Sequence, residues 1–185
     1  MAEEKKDSWL NYLALTTVIL AVSATLATSK GNSHSTSAIM YQAQATNQWS
    51  YYQAKAIKGY LYEVQKEMVE LEARDQAPDK AGNSGEGSAT SRESLGERAA
   101  RYDKKIAGYA EDKALIQREA KRLESLRDDA RRHGATFSSA VVLLQIAILL
   151  SSIAALLKKK PLWYLGMAVG AAGIFYFADG FLLFQ

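Results

Sequence analysis

Three stretches of this chain are apolar almost throughout, and a long polar stretch separates the first from the second. Residues 9–28, 135–157 and 162–184 each run for about 20 to 23 residues. That suffices to cross a hydrocarbon core of roughly 30 Å at 1.5 Å per residue. Lys158, Lys159, Lys160 and Pro161 join the last two, a connection too polar and too short to lie inside a soluble fold. The first stretch follows Lys5 and Lys6, as a signal peptide would. Its apolar run is longer than a signal core of about 7–15 residues, and its flank carries Glu3, Glu4 and Asp7. We read it as an uncleaved anchor, so the chain is expected to cross a bilayer three times.

The polar middle carries the period of long helices. Met40, Ala43, Asn47, Ser50, Ala54, Ile57, Leu61, Val64, Met68 and Leu71 recur at alternating three- and four-residue steps, and the second half of this seam has the composition of a heptad core. Tyr41, Ala45, Trp49, Tyr52, Ala56 and Tyr60 form a stripe beside it, so this helix has two apolar sides. In the other half, Leu95, Ala99, Tyr102, Ile106, Tyr109, Lys113, Ile116, Ala120, Leu123 and Ala130 keep the same spacing. Capping boxes at Thr90–Glu93 and Ser94–Glu97 are expected to start that helix. Residues 77–90, rich in Gly, Ala and Ser with one Pro, read as a flexible tip.

The expected fold class is all-α: three transmembrane helices with a long antiparallel coiled-coil helical hairpin between the first and second. The expected boundaries are a polar N-terminus at 1–8, a first span at 9–28, and a hairpin at 29–134 with arms at about 37–74 and 92–133. A second span at 135–157, a basic turn at 158–161 and a third span at 162–184 follow. The arms, about 38 and 40 residues long, would reach roughly 55–60 Å. Residues 29–37 (Ser-Lys-Gly-Asn-Ser-His-Ser-Thr-Ser) are expected to break the helix as a neck, and Gly134 marks either a matching break or a straight continuation.

Composition narrows the function. Mean hydropathy is close to zero because three apolar spans offset the polar middle. Residues 30–134 hold 18 Lys and Arg against 16 Asp and Glu, mixed along the helices. That is no clustered basic face, so nucleic acid is not an expected partner. With no cysteine in the chain, disulfides, thiol nucleophiles and thiolate metal sites are excluded. Nucleotide-binding loops and the serine and zinc hydrolase motifs are absent. A helical hairpin also provides no cleft for acid–base chemistry. We expect a non-enzyme without cofactors or metals.

The stretch Gln48-Trp49-Ser50-Tyr51-Tyr52-Gln53-Ala54-Lys55-Ala56-Ile57-Lys58 has a recognisable sequence, as do residues 143–150, the lysine turn with Leu162-Trp163-Tyr164, Gly170-Ala171-Ala172-Gly173 and Asp179-Gly180-Phe181-Leu182. Together these resemble the bacterial domain-of-unknown-function family 4337. The resemblance implies a small bacterial membrane protein and brings no catalytic or ligand residues with it.

Topology follows from charge and aromatic residues. Trp9, Tyr12, Trp163 and Tyr164 fall at one interface, as an aromatic belt does. Lys5, Lys6 and the three turn lysines favour the cytoplasm for that side. Arg118, Lys121, Arg122, Arg127, Arg131 and Arg132 oppose this from the other side, but long loops weigh less in such a balance. The expectation is a bacterial inner membrane protein whose hairpin lies outside the cytoplasm.

Candidate sites are few. Asp179 is the one full charge inside a span, with Gln145 a candidate polar partner; it reads either as an interfacial carboxylate or as a proton or cation site. Gly166, Gly170 and Gly173 share a face of the third span, suited to close packing within the chain or to self-association, with Thr17, Ala21, Ala24 and Thr28 as a complementary face. His34 and His133 stand at the hairpin's two feet. Arg131, Arg132, Lys158, Lys159 and Lys160 are expected to touch lipid headgroups. The main reading is a structural or interaction scaffold acting through the projecting hairpin: homo-oligomeric, in contact with membrane lipid and an envelope protein partner. An oligomeric ion or proton path near Asp179 and a lipid-binding tether are the alternatives.

Overall fold

The computed structural model describes residues 8–75 and 86–182. The polar N-terminus, residues 76–85 of the expected tip and residues 183–185 lie outside the described residues, as do the side chains of the capping box at Thr90–Glu93. The described residues form three α-helices and no strand: α1 (Ser8–Asp75), α2 (Glu86–Leu157) and α3 (Lys160–Leu182). All three are long and apolar enough to cross a membrane.

Several expected boundaries are corrected. There is no neck at 29–37, since α1 runs through it as unbroken helix. Gly31 there marks a close approach: a Cβ on it would sit 3.3 Å from that of Phe137. Tertiary packing thus overrides the weak helix propensity of Gly and Ser. Gly134 lies inside α2, which also begins at Glu86, earlier than the expected start near 92. The basic turn shrinks to two residues because α3 starts at Lys160, with Pro161 in the first turn, where its missing N–H costs nothing.

The chain groups into two units, one made of residues up to Tyr41 with those from Ser125 onward, the other of Gln42–Glu124. In the first, α1 and α2 are antiparallel. Leu20 and Ala24 pack with Leu144 and Ala147, and Ala27 packs with Phe137 and Ala140. α3 runs antiparallel to α2. A Cβ on Gly166 would meet Ser151 Oγ and the Ala147 carbonyl oxygen, one on Gly170 would meet Ala147 and Leu20, and one on Gly173 would meet Leu144. The glycine face is therefore occupied within the chain. On α1 of this unit Leu13, Leu20, Ala24, Ala27 and Ala38 are buried, whereas Ala21 and Thr28 of the expected complementary face are exposed. Near the α2–α3 turn, Trp9 and Trp163 rings lie 6.4 Å apart, and Trp163 donates its indole N–H to Thr16 Oγ1 at 3.2 Å.

The turn is a Schellman motif. Lys158 takes φ 51°, its N–H donates to the Ala155 carbonyl at 3.4 Å, and that of Lys159 donates to Ala154 at 3.2 Å.

In the second unit α1 and α2 again pair antiparallel. Lys55 bonds Asp112 and Lys66 bonds Asp103, each at 2.7 Å, and Trp49 donates to Glu124 at 2.9 Å. Tyr62 lies between Tyr102 and Tyr109, with ring centroids 5.8 and 5.7 Å away. Tyr102, Ile106, Tyr109, Ile116 and Leu123 all lie on the packed side. The opposite holds for Ile57, Leu61, Val64, Met68 and Leu71. Expected as the hairpin's inner seam, they are between 49% and 67% exposed. The inner face of α1 is instead Ala45, Gln48, Tyr52, Lys55, Gly59, Tyr62, Lys66 and Val69, two residues earlier along the chain and so on the opposite side of the helix. Lys55 and Lys66 can occupy it because their stems pack while their ammonium groups reach carboxylates on α2; those hydrogen bonds raise both lysine pKa values.

Two alanine substitutions separate packed from free glycine. At Gly173 the new Cβ would lie 2.9 Å from Leu144 Cγ and 3.1 Å from its backbone nitrogen, so Gly173→Ala should lose about 1–3 kcal/mol by overpacking. At Gly96 nothing lies within 4 Å, and Gly96→Ala should gain about 0.5–1 kcal/mol of helix propensity. Unfolding of the two variants in detergent micelles reads the opposite signs.

Candidate functional site

The densest cluster of polar and aromatic groups in the first unit lies where His34 of α1, residues 129–137 of α2 and residues 177–181 of α3 converge. The His34 ring stacks on that of His133 (centroids 4.9 Å apart, 18° between planes) and also on Phe137 (5.6 Å, 17°). His133 Nδ1 lies 2.7 Å from the Gly180 carbonyl oxygen; since a carbonyl only accepts, this nitrogen carries the proton, leaving Nε2 to accept or bind a second one. Phe137 is fully buried and meets Phe177 and Phe181 edge-on at 5.9 and 5.1 Å. Gly180 makes room for it: a Cβ there would sit 2.8 Å from the Phe137 ring. Asp179, next in sequence, is 4% exposed. Lys30 stands over the outer ring of Phe181 at 5.9 Å.

The local sequence explains the arrangement. Counting in sevens from Leu13 through Leu20 and Ala27 arrives at His34, and counting from Ala130 through Phe137 arrives at Leu144 and Ser151, all of them buried or half-buried. The histidine therefore occupies a packing position of α1 that elsewhere in this unit holds Leu or Ala. Burial chiefly, then the charges of His133 and Lys30, hold the His34 pKa below its ordinary 6.5, with Asp129 pulling the other way.

The sequence-predicted residues divide. Asp179 is buried, one residue before the glycine whose carbonyl meets His133, whereas Gln145 is exposed. Gly166, Gly170 and Gly173 are buried between helices. Arg131, Arg132, Lys158, Lys159 and Lys160 are all exposed. The histidines, legible only as two feet that might approach, do meet. Phe137 and Gly180 were missed; the seven-residue count from Ala130 finds the first, and nothing in the sequence finds the second. Ser151 is buried with no hydrogen-bond partner for its hydroxyl, and serves as a small residue opposite Gly166. Among the described residues no three His, Asp or Glu side chains converge as a metal site would require. What the cluster can do chemically is take up a proton on His34, whose ring is stacked on those of His133 and Phe137.

Fold and site together define an all-helical chain with three helices long and apolar enough to cross a membrane, and a polar cluster where all three meet. The chain belongs to the family described as Domain of unknown function (DUF4337), whose profile matches residues 9–183. No curated protein and no solved structure matches it.

The depressed His34 pKa fixes a pH dependence. An unfolded His34 takes up its proton near pH 6.5, and the folded one only at lower pH. Stability contributed by the neutral stacked ring is complete above pH 6.5 and is lost as pH falls below it. The melting temperature in micelles should drop between pH 7.5 and 5.5, and His34→Phe should flatten that drop. An equally steep fall in the variant would remove His34 as its cause. Ser151→Ala should be neutral or slightly stabilising by the same measurement, because no hydrogen bond is lost.

Proposed function

We propose that this chain is a non-enzymatic, multi-pass membrane protein that acts as a structural or interaction scaffold, its antiparallel helical pair forming a docking rod outside the bilayer. The observation that carries the reading is the contrast within α1 and α2. Each joins an apolar stretch long enough to cross a membrane to a polar stretch rich in paired charges. The exposed Arg131, Arg132 and turn lysines suit anionic headgroups, at about 1 kcal/mol per charge near the surface. The scaffold is homo-oligomeric, resides in a bacterial inner membrane and presents the hairpin to the envelope side, where a protein partner would engage it. Burial of Asp179, a carboxyl group within an apolar helix, favours one second reading, a proton path through an assembly of such chains.

Two experiments separate these. A single cysteine at Ser88, in a chain without others, should react with a membrane-impermeant thiol reagent on intact cells; labelling only after lysis would reverse the topology. Asp179→Asn should leave proton flux across liposomes at the protein-free level, as the unaltered chain does. Flux that needs Asp179 would replace the scaffold reading with the second one.

A further inference from the structure

The outer side of α1 in the second unit has no use within the chain. Ile57, Leu61, Val64, Met68 and Leu71 are each about half exposed or more, and Tyr51 and Tyr60 flank them. On α2 of this unit the only large apolar side chain so exposed, among the described residues, is Leu115. A polar helical arm facing water has no reason to keep such a stripe on one side of one helix; a contiguous stripe of this kind marks an interaction surface. Its spacing is also specific. From Ala43 to Leu71 it keeps the alternating four- and three-residue steps of a coiled-coil seam over four heptads, about 42 Å of helix. A lipid surface or an irregular partner would not require that regularity. A helix with the same repeat would, and this stripe is itself such a helix.

We propose that this outer stripe is a parallel, in-register seam between copies of the chain, in an assembly of more than two. The proposal rests on the membrane-scaffold reading, since copies inserted in one bilayer in the same sense have their α1 helices running the same way. Parallel pairing sets each seam residue against its own counterpart. Leu61 and Met68 then fall at the a positions, with Ile57, Val64 and Leu71 at d. Leu-type residues at a with β-branched residues at d favour three or four strands over two. Asn47 falls at an a position as well, where a polar side chain fixes register at some cost in stability. The flanks raise little electrostatic barrier. Gln44, Thr46, Tyr51, Gln53, Tyr60 and Gln65 are uncharged, Lys58 stands against Gln53 of the next copy, and the one like-charged meeting is Glu67 with Glu72.

The absence of cysteine makes the test direct. Single cysteines at Leu61 and Val64, with Ala107 on the exposed side of α2 as control, are oxidised in the membrane with copper phenanthroline, and the unaltered protein is weighed by native mass spectrometry from detergent. Disulfide-linked pairs at Leu61 and Val64 but not at Ala107, with a mass of three or four chains, are expected. The double variant Leu61→Lys, Val64→Lys should fall to monomer with its helicity and melting temperature retained. A dimer mass overturns the number of copies. An oligomer that forms no seam disulfides and survives the lysine pair overturns the seam yet leaves a homo-oligomeric scaffold standing. A monomer at every concentration overturns both.

Discussion

Long helices stay in contact only if the residues between them recur at a fixed interval and are small enough, or flexible enough, to let two backbones come near. The seven-residue interval is kept here without a slip. In the first unit it places Leu13, Leu20, Ala27 and His34 on the packed side of α1, and in the second Gln48, Lys55, Tyr62 and Val69. The corresponding positions of α2 are Ala130, Phe137, Leu144 and Ser151 in the first unit, and Leu95, Tyr102, Tyr109, Ile116 and Leu123 in the second. Each later feature depends on this count. The two histidines meet because each falls at or beside a packing position, and the outer stripe of α1 is outward because it is shifted two residues from the inner one, onto the opposite side of the helix.

The same interval is filled by different chemistry in the two units. In the first, small residues dominate: Ala27, Ala140, Ala147 and four glycines of α3 are buried, and the reward is van der Waals contact between close backbones. Hydrophobic driving force has little to offer there if the surroundings are hydrocarbon. In the second, tyrosines, two lysines and buried aliphatic residues fill the space, and pairing is completed by carboxylates on the opposite helix. Where such a unit stands in water, solvent rewards burial of apolar area and solvates the charge that remains.

This division explains what could be read from the sequence. The three apolar helices and the packed side of α2 were legible, because α2 places Leu, Ile and Tyr where hydrophobic periodicity is designed to find them. The inner side of α1 was not. It carries Gln48, Lys55, Gly59 and Lys66, while a better heptad by composition lies two residues further along and points outward. Hydrophobicity alone ranks the wrong stripe first, and only the partners Asp103 and Asp112 reveal why lysines are tolerated inside. The neck at 29–37 failed for a related reason: Gly31 signals helix breaking in isolation, but beside Phe137 it signals proximity. Of the candidate cluster, Asp179 stood out as a lone intramembrane charge, whereas the role of Gly180 depends on a ring from another helix.

The Lys158–Lys159 turn also limits how α2 and α3 can move against each other. Two residues locked by a Schellman motif leave no slack between α2 and α3, so neither can adopt an orientation independent of the other without unwinding helix. The two helices therefore behave as one closed clasp: any shift of α3 along Leu144 and Ala147 must carry the turn with it.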